Sequence, residues 1–408
     1  MRTEIKENTK ITVLGGGTAG VVSACFLVHK PEKFEIEWIR DPNISPVSVG
    51  EGSTLPMVIS TFSAIGEDPS AIYDKIGGSK KFGIRKFDWN KDEFMHYFGA
   101  TSYAIHFSAH EFQNWIWDTI NDPKITKVEK NIINPKEEID ANYIIDCRGG
   151  TGEGEEFEKA DNIPTNKAYV EQVYHTDGKP VFEETLCIAR PYGWVFIIPL
   201  MNRYSIGYIY NKNFATDDQI KDDIKEVYKY VPYSPEKEGN FIPFNNYKRK
   251  QNFEWNYSYN GANSFFYEPL EATSHEISNK IAGWSFDTLR RPAATEIWQS
   301  YYDREMFQTE AIINIHYLAK TKWDTDFWKY ANESAEKTFS NIYSSKWRNS
   351  FKNITEGIQD VIKKQGHYTR KEMIQSFGQW PGQSWIMNVD GLGVMNKLKE
   401  IDERANRS

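Results

Sequence analysis

A run of β-branched and aliphatic residues, Ile11-Thr12-Val13-Leu14, passes directly into Gly15-Gly16-Gly17-Thr18-Ala19-Gly20, and the small-residue stretch 21–28 continues it. A short strand, a turn that only glycines allow and a helix start, in that order, build the strand–loop–helix that holds a dinucleotide pyrophosphate. Gly15 permits the tight turn, Gly17 lets the backbone approach the phosphates, and Gly20 lets the helix pack close to the sheet. Thr18 and Ala19 open that helix, whose N-terminus offers unpaired N–H groups and partial positive charge to the diphosphate. The motif does not distinguish FAD from NAD, and a plain structural turn is the alternative.

At 408 residues the chain exceeds one simple domain, so one large interwoven domain or two coupled ones are expected. With 13 Trp, 23 Tyr and 24 Phe it holds enough rings to line a pocket for a flat ligand as well as a core. A net charge of −8 argues against wrapping nucleic acid. Cys25, Cys147 and Cys187 leave one thiol unpaired in any compartment, in apolar surroundings that read as core. No HxH, HExxH or CxxC occurs, so no metal is expected. The first residues contain no apolar signal region and no run long enough for a membrane span, so a cytoplasmic location without membrane contact is the expectation.

A second strand over 34–39 completes a βαβ unit. The acid that would bind a ribose hydroxyl about 20 residues past the glycines is Asp41, with Glu37 a weaker choice and Arg40 standing where the acid might have been. A turn-rich loop over 42–56, including Ser45 and Pro46, leaves that strand, and a helix is expected over 57–74. Strands are expected near 82–89 and within 117–145, and the stretch 141–150 reads as a buried strand closing the nucleotide-binding sheet. Residues 165–260 are β-rich, with a turn at Asp177-Gly178. Beyond 290 the chain turns helical around 296–320, 332–342 and 352–364, and the basic tract 362–371 reads as solvated helix ends and a loop.

Five further segments resemble the flavin-dependent, tryptophan-type halogenase family, a relative in fold of the single-component flavin hydroxylases. They are Gly50-Glu51-Gly52-Ser53-Thr54-Leu55-Pro56, Ala104-Ile105-His106-Phe107-Ser108, Gly193-Trp194-Val195-Phe196-Ile197-Ile198-Pro199, Phe266-Tyr267-Glu268-Pro269-Leu270-Glu271-Ala272-Thr273, and the helical stretch from Arg304 to Trp328. The resemblance implies an α/β plus mixed-β fold: a Rossmann-like FAD-binding fold of the flavin monooxygenase type interleaved with a β-sheet region, and a helical C-terminal substrate region. The implied division is 1–290 for the FAD module with its mixed sheet and 291–408 for the substrate-covering helices.

The chemistry implied is oxidation of halide at FADH2 by oxygen, with hypohalous acid passing through a tunnel to a lysine beside an aromatic, indole- or phenol-like substrate. Lys81, eight residues before Trp89, takes the lysine's place, with Lys80 the fallback if the register slips by one. Glu271 would stabilise the arenium cation or take its proton. Thr273 and Ser274 stand where backbone N–H groups hold halide. Trp194, Phe196 and Pro199 would form the barrier between flavin and substrate, with Trp194, Glu51 and Pro269 also against the cofactor. His106 is either a pocket residue or simply a strand histidine, the latter favoured.

Three positions depart from the pattern. Phe196 replaces a second tryptophan, Ala272 replaces a serine at the passage, and Ser274 replaces a glycine, which is expected to limit φ and reshape the halide turn. The chain is shorter than family members acting on free tryptophan, so a more open site for a larger or different aromatic compound is expected. A separate NAD(P)H-dependent flavin reductase is the implied partner, and a homodimer is compatible with the reading. The competing readings are an FAD-dependent aromatic hydroxylase or epoxidase and a flavin-binding protein without catalysis.

Overall fold

The computed structural model describes residues 5–44, 50–98, 103–175, 179–232, 235, 237–363, 376–377 and 380–407. Ser45, Pro46, the Asp177-Gly178 turn and most of the tract 362–371 lie outside the described residues.

Along the first 159 residues run β1 (Lys10–Leu14), α1 (Thr18–Val28), β2 (Glu35–Arg40), β3 (Gly50–Gly52), α2 (Leu55–Ile65), α3 (Ile72–Ile76), β4 (Ser79–Lys81), β5 (Gly83–Phe87), β6 (Glu93–Tyr97), β7 (Ala104–Ser108), α4 (Ala109–Thr119), β8 (Ile125–Glu129), α5 (Pro135–Glu138), β9 (Tyr143–Asp146) and β10 (Phe157–Lys159). Then follow β11 (Lys167–Tyr174), β12 (Thr185–Arg190), β13 (Gly193–Pro199), β14 (Arg203–Tyr210), α6 (Asp217–Asp223), β15 (Asn240–Pro243), β16 (Tyr247–Arg249), β17 (Phe253–Glu254), β18 (Tyr257–Tyr259) and β19 (Phe265–Phe266). The helices α7 (Thr273–Arg290), α8 (Thr295–Tyr317), α9 (Asp326–Tyr343) and α10 (Arg348–Lys363) precede two more, Gly382–Leu392 and Met395–Ala405.

The chain divides into two compact units, each drawn from separate stretches. Met1–Ser79, Ala104–Lys159 and Asn245–Arg304 make the first; Lys80–Tyr103, Ala160–Phe244 and Glu305–Ser408 make the second.

In the first unit a six-stranded sheet runs in the order β17-β18-β9-β1-β2-β8, parallel from β18 to β8. With β1 at its centre and α1 as the crossover to β2, this is a Rossmann-like sheet, and the switch of strand order beside β1 opens a ligand crevice at the strand ends. Val21, Val22 and Leu27 of α1 join Ile11, Val13, Ile36 and Trp38 in the core. That helix is buried on nearly every side, which is why its sequence lacks an amphipathic stripe. The expected closing strand is β9, whose Asp146 accepts from Arg148 at 2.8 Å and from the Tyr257 hydroxyl at 2.7 Å. Two expectations differ in detail. The single helix over 57–74 is broken by Gly66, at φ +70°, into α2 and a short helical turn leading to α3. The stretch 117–145 opens in the tail of α4 before reaching β8 and β9.

The second unit carries a seven-stranded sheet, β15-β11-β14-β13-β12-β5-β6, antiparallel except where β12 runs with β5. Every residue of β13 and β14 is buried, which accounts for their continuous rather than alternating hydrophobic pattern. The β-rich stretch is interrupted by α6, begun by a capping box in which Thr216 and Gln219 bond each other's backbone N–H. Indole donors hold the end of β12: Trp323 Nε1, in the loop before α9, gives to Ala189 O at 3.0 Å and Trp328 Nε1 of α9 to Arg190 O at 2.8 Å. The helix Gly382–Leu392 is pinned to the β5–β6 hairpin by Lys86 and Asn388 (2.5 Å) and Lys91 and Asp390 (2.8 Å). Among the described residues no helix is long and apolar enough to cross a membrane.

Candidate active site

The glycine loop has the shape a diphosphate needs. Gly15 sits at φ +131°, and a Cβ there would stand 2.6 Å from the Cys147 carbonyl oxygen, so only glycine fits between β1 and β9. A Cβ on Gly20 would strike the Gly15 carbonyl. Gly17 differs: it is the N-cap of α1 at φ −74°, and nothing lies within 4 Å of where its Cβ would be. No side chain caps α1 and no acid stands in its first turn, so its leading N–H groups face open space beside Gly17. The Thr18 hydroxyl accepts from Gln113 Nε2 at 2.9 Å, and Gln113 Oε1 is buried with no partner among the described residues. An open, uncapped helix start, whose leading N–H groups are donors, fits the diphosphate end of FAD.

At the edge of β2 the expected acids are already engaged. Glu37 pairs with Lys10 at 2.8 Å, and the Asp41 carboxylate closes a turn by accepting from the N–H and side chain of Asn43 at 2.9 and 3.0 Å. Arg40 occupies the last strand position, stacked 4.3 Å from the Trp117 ring and bonded to Glu129 at 2.6 and 2.9 Å.

The segment from Pro269 to Ser274 makes an unusual turn. Glu271 (φ 66°) and Ala272 (φ 52°) are consecutive non-glycine residues in the left-handed region, a conformation costing about 1–3 kcal/mol each. Thr273 then opens α7. Ser274 lies inside the helix, so the residue replacing glycine bears no positive φ. This corrects the expectation that Ser274 limits the turn: the strain falls on Glu271 and Ala272. Glu271 is buried, and α7 has no side-chain N-cap, so its first N–H groups receive none from a capping side chain. Across from this start is Glu51 on β3, whose Oε2 lies 3.4 Å from the Thr18 hydroxyl and 3.2 Å from His275 Nε2. The first unit therefore joins Thr18, Glu51 and the beginning of α7 in one network. His275 and Gln113 were not singled out in the sequence; only an acid–imidazole pairing across 224 residues would have marked the former.

In the second unit, Lys81 ends β4 at 2% exposure while Lys80 is only half-buried, directed to the Tyr103 ring 4.8 Å away. Strand alternation separates the two lysines onto opposite faces. Lys81 Nζ lies 5.5 Å from the centroid of Phe98, which packs on His96, and His96 bonds the Ser384 hydroxyl at 2.8 Å. Trp89 is fully buried and gives its N–H to Cys187 O. On β13, Trp194 and Phe196 share a face with ring centroids 6.2 Å apart, and Pro199 ends the strand. The Trp194 indole N–H is buried with no partner among the described residues. Of the histidines, His106 is a buried strand residue bonded to Ser79 Oγ at 3.2 Å. A charged cleft of about 570 Å³ lined by Tyr169, Lys221, Tyr228 and Glu238 also opens in this unit, and none of the expected site residues lines it. Among the described residues no three His, Cys, Asp or Glu side chains gather as metal ligands.

A Rossmann-like unit with an open glycine-loop helix, joined in sequence to a mixed sheet and a helical C-terminal region, is the fold of the flavin monooxygenase type. The model of the tryptophan halogenase family matches residues 10–123 and 101–401, and the chain belongs to that family. It is therefore an enzyme of the flavin-dependent halogenase class. Tryptophan 7-halogenase RebH of Lentzea aerocolonigenes is 22% identical, covering 79% of this chain and 79% of that protein. Tryptophan 6-halogenase ThaL of Streptomyces albogriseolus is 20% identical, over 79% and 78%. Among solved structures, BrvH, a flavin-dependent halogenase from Brevundimonas sp. BAL3, superposes with a TM-score of 0.74 at 19% identity, covering 99% of this chain and 98% of that one.

Proposed function

We propose that the enzyme uses FADH2 and oxygen to oxidise halide and delivers hypohalous acid to Lys81 for electrophilic halogenation of an aromatic, indole- or phenol-like substrate. When bound, reduced FAD supplies the electrons for that oxidation. Gly15, Gly17, Thr18, Ala19 and Gly20 hold its diphosphate, with Asp41 at the nucleotide end and Glu51 and Pro269 against the flavin. Thr273 and Ser274 hold chloride or bromide through backbone N–H groups at the start of α7.

The observation that carries the reading is the burial of Lys81. An amine at 2% exposure keeps an electrophile at its nitrogen away from bulk water, and hydrolytic loss competes poorly there. Glu271 supplies a carboxylate where positive charge develops on the ring. Trp194, Phe196 and Pro199 keep the substrate from the oxidising cofactor, and Ala272 leaves the passage without a hydroxyl. The helical stretch 291–408 covers the substrate. A separate NAD(P)H-dependent reductase supplies FADH2, and the three buried free cysteines accord with a reducing, cytoplasmic setting.

The experiment supplies either photoreduced FAD or NAD(P)H with oxidised FAD to the purified enzyme, with bromide, oxygen and a panel of indoles and phenols. Brominated product with reduced FAD alone supports the reading. Oxygenated product driven directly by NAD(P)H would make the protein a hydroxylase instead.

A further inference from the structure

His275 occupies the third position of α7, directly after Thr273 and Ser274, and its Nε2 lies 3.2 Å from Glu51 Oε2. The pair is held from several sides. β3 pairs with β7 so that Glu51 stands opposite Phe107, whose ring centroid is 5.7 Å from that of His275. The Thr18 hydroxyl gives to the same Glu51 oxygen at 3.4 Å and is itself held by Gln113. The imidazole side chain is 12% exposed and the carboxylate 31%.

An anion at the start of α7 meets a carboxylate in Glu51, and like charges repel. On the chain of His275 itself the neighbouring acids are Glu271 and Glu276, the latter's carboxylate taking the Thr54 hydroxyl at 3.4 Å. The other elements around the pair contribute Thr18, Gln113 and Phe107, which carry no charge. The α7 N-terminus supplies only a partial positive charge. Among the described residues the cation-forming side chain within ion-pair distance of Glu51 is His275.

We propose that His275 is a positioning residue for halide: its imidazolium cancels the Glu51 charge and lets the Thr273–Ser274 turn hold chloride or bromide. The inference rests on the reading of Thr273 and Ser274 as the halide turn. With the imidazolium the pair is neutral overall; with neutral imidazole it carries one negative charge.

The test measures bromide KM and kcat for the FADH2-supplied enzyme, and, separately, chloride binding to the FAD-loaded protein by chloride NMR line broadening. His275→Gln should raise bromide KM roughly tenfold, leave kcat nearly unchanged and weaken chloride binding by a similar factor. His275→Lys, which keeps a cation beside Glu51, should keep the low KM. In Glu51→Gln/His275→Gln both charges are gone, and KM should return toward the wild-type value, which packing damage alone would not allow. Unchanged KM and chloride binding in His275→Gln, or a double variant as poor as the single one, would overturn the proposal. A wild type whose chloride binding depends on His275 but which never halogenates would uphold this inference and contradict the proposed activity.

Discussion

Phe196 on β13 lies over Gly207, its register partner on β14, and a Cβ on Gly207 would collide with the Phe196 ring. The residue that departs from the second tryptophan of the family pattern is thus seated by a glycine one strand away. The seat leaves Phe196 packed on the same face as Trp194.

Gly207→Ala should displace the Phe196 ring and cost about 1–3 kcal/mol of stability, as overpacking of a buried strand does. Urea unfolding followed by tryptophan fluorescence would read the loss. In the barrier reading the same variant also raises oxygenated by-products relative to halogenated ones, while Gly207→Ala/Phe196→Leu recovers stability by vacating the ring's space.

The two ends of the glycine loop should respond in opposite ways to an added methyl. Gly15→Ala places a Cβ at positive φ, 2.6 Å from the Cys147 carbonyl, and should destabilise the fold by about 2 kcal/mol or more. Gly17→Ala has extended φ and empty space, so stability should hold while FAD affinity falls, because the methyl intrudes where the diphosphate approaches. Thermal unfolding and FAD titration on both variants would separate these effects.

Burial pushes the Cys25 and Cys147 thiols up to about 12, from 9.0. Their thiolate fraction at pH 8 is then on the order of one in ten thousand. The native protein should react with less than one equivalent of Ellman's reagent in minutes at that pH, and with three once unfolded. The sign for stability follows. The folded thiols keep their protons while unfolded ones release theirs above about pH 9, so their contribution is complete below 9 and is lost as pH climbs toward 12.

Much of the first unit was legible because its signals are local. The β-branched run, the three glycines and the small-residue helix sit within twenty residues, and each has one physical reading. The choice of Lys81 over Lys80 depended on a resemblance, and strand alternation in β4 now supplies a physical distinction between the two. What stayed hidden depends on long-range approach. The His275–Glu51 pair joins residues 224 positions apart, and Gly207 carries no mark of the ring it receives. The φ values at Glu271 and Ala272 reverse a local expectation, because the turn's strain falls three and two residues upstream of the serine that replaced glycine. Arg40 at the end of β2 was visible in sequence, but its capture by Glu129 and Trp117 was not.

The most direct test of the account compares wild type with Lys81→Met and Lys80→Met in single turnovers from photoreduced FAD, bromide and oxygen, scoring brominated product by its isotope pair and free hypobromous acid by a trapping thioether. Methionine keeps the buried volume near that of lysine without the amine, and folding is checked by circular dichroism. The account predicts product from wild type and Lys80→Met, and from Lys81→Met free hypobromous acid with product reduced at least about a hundredfold. Product from Lys81→Met at the wild-type level would contradict it.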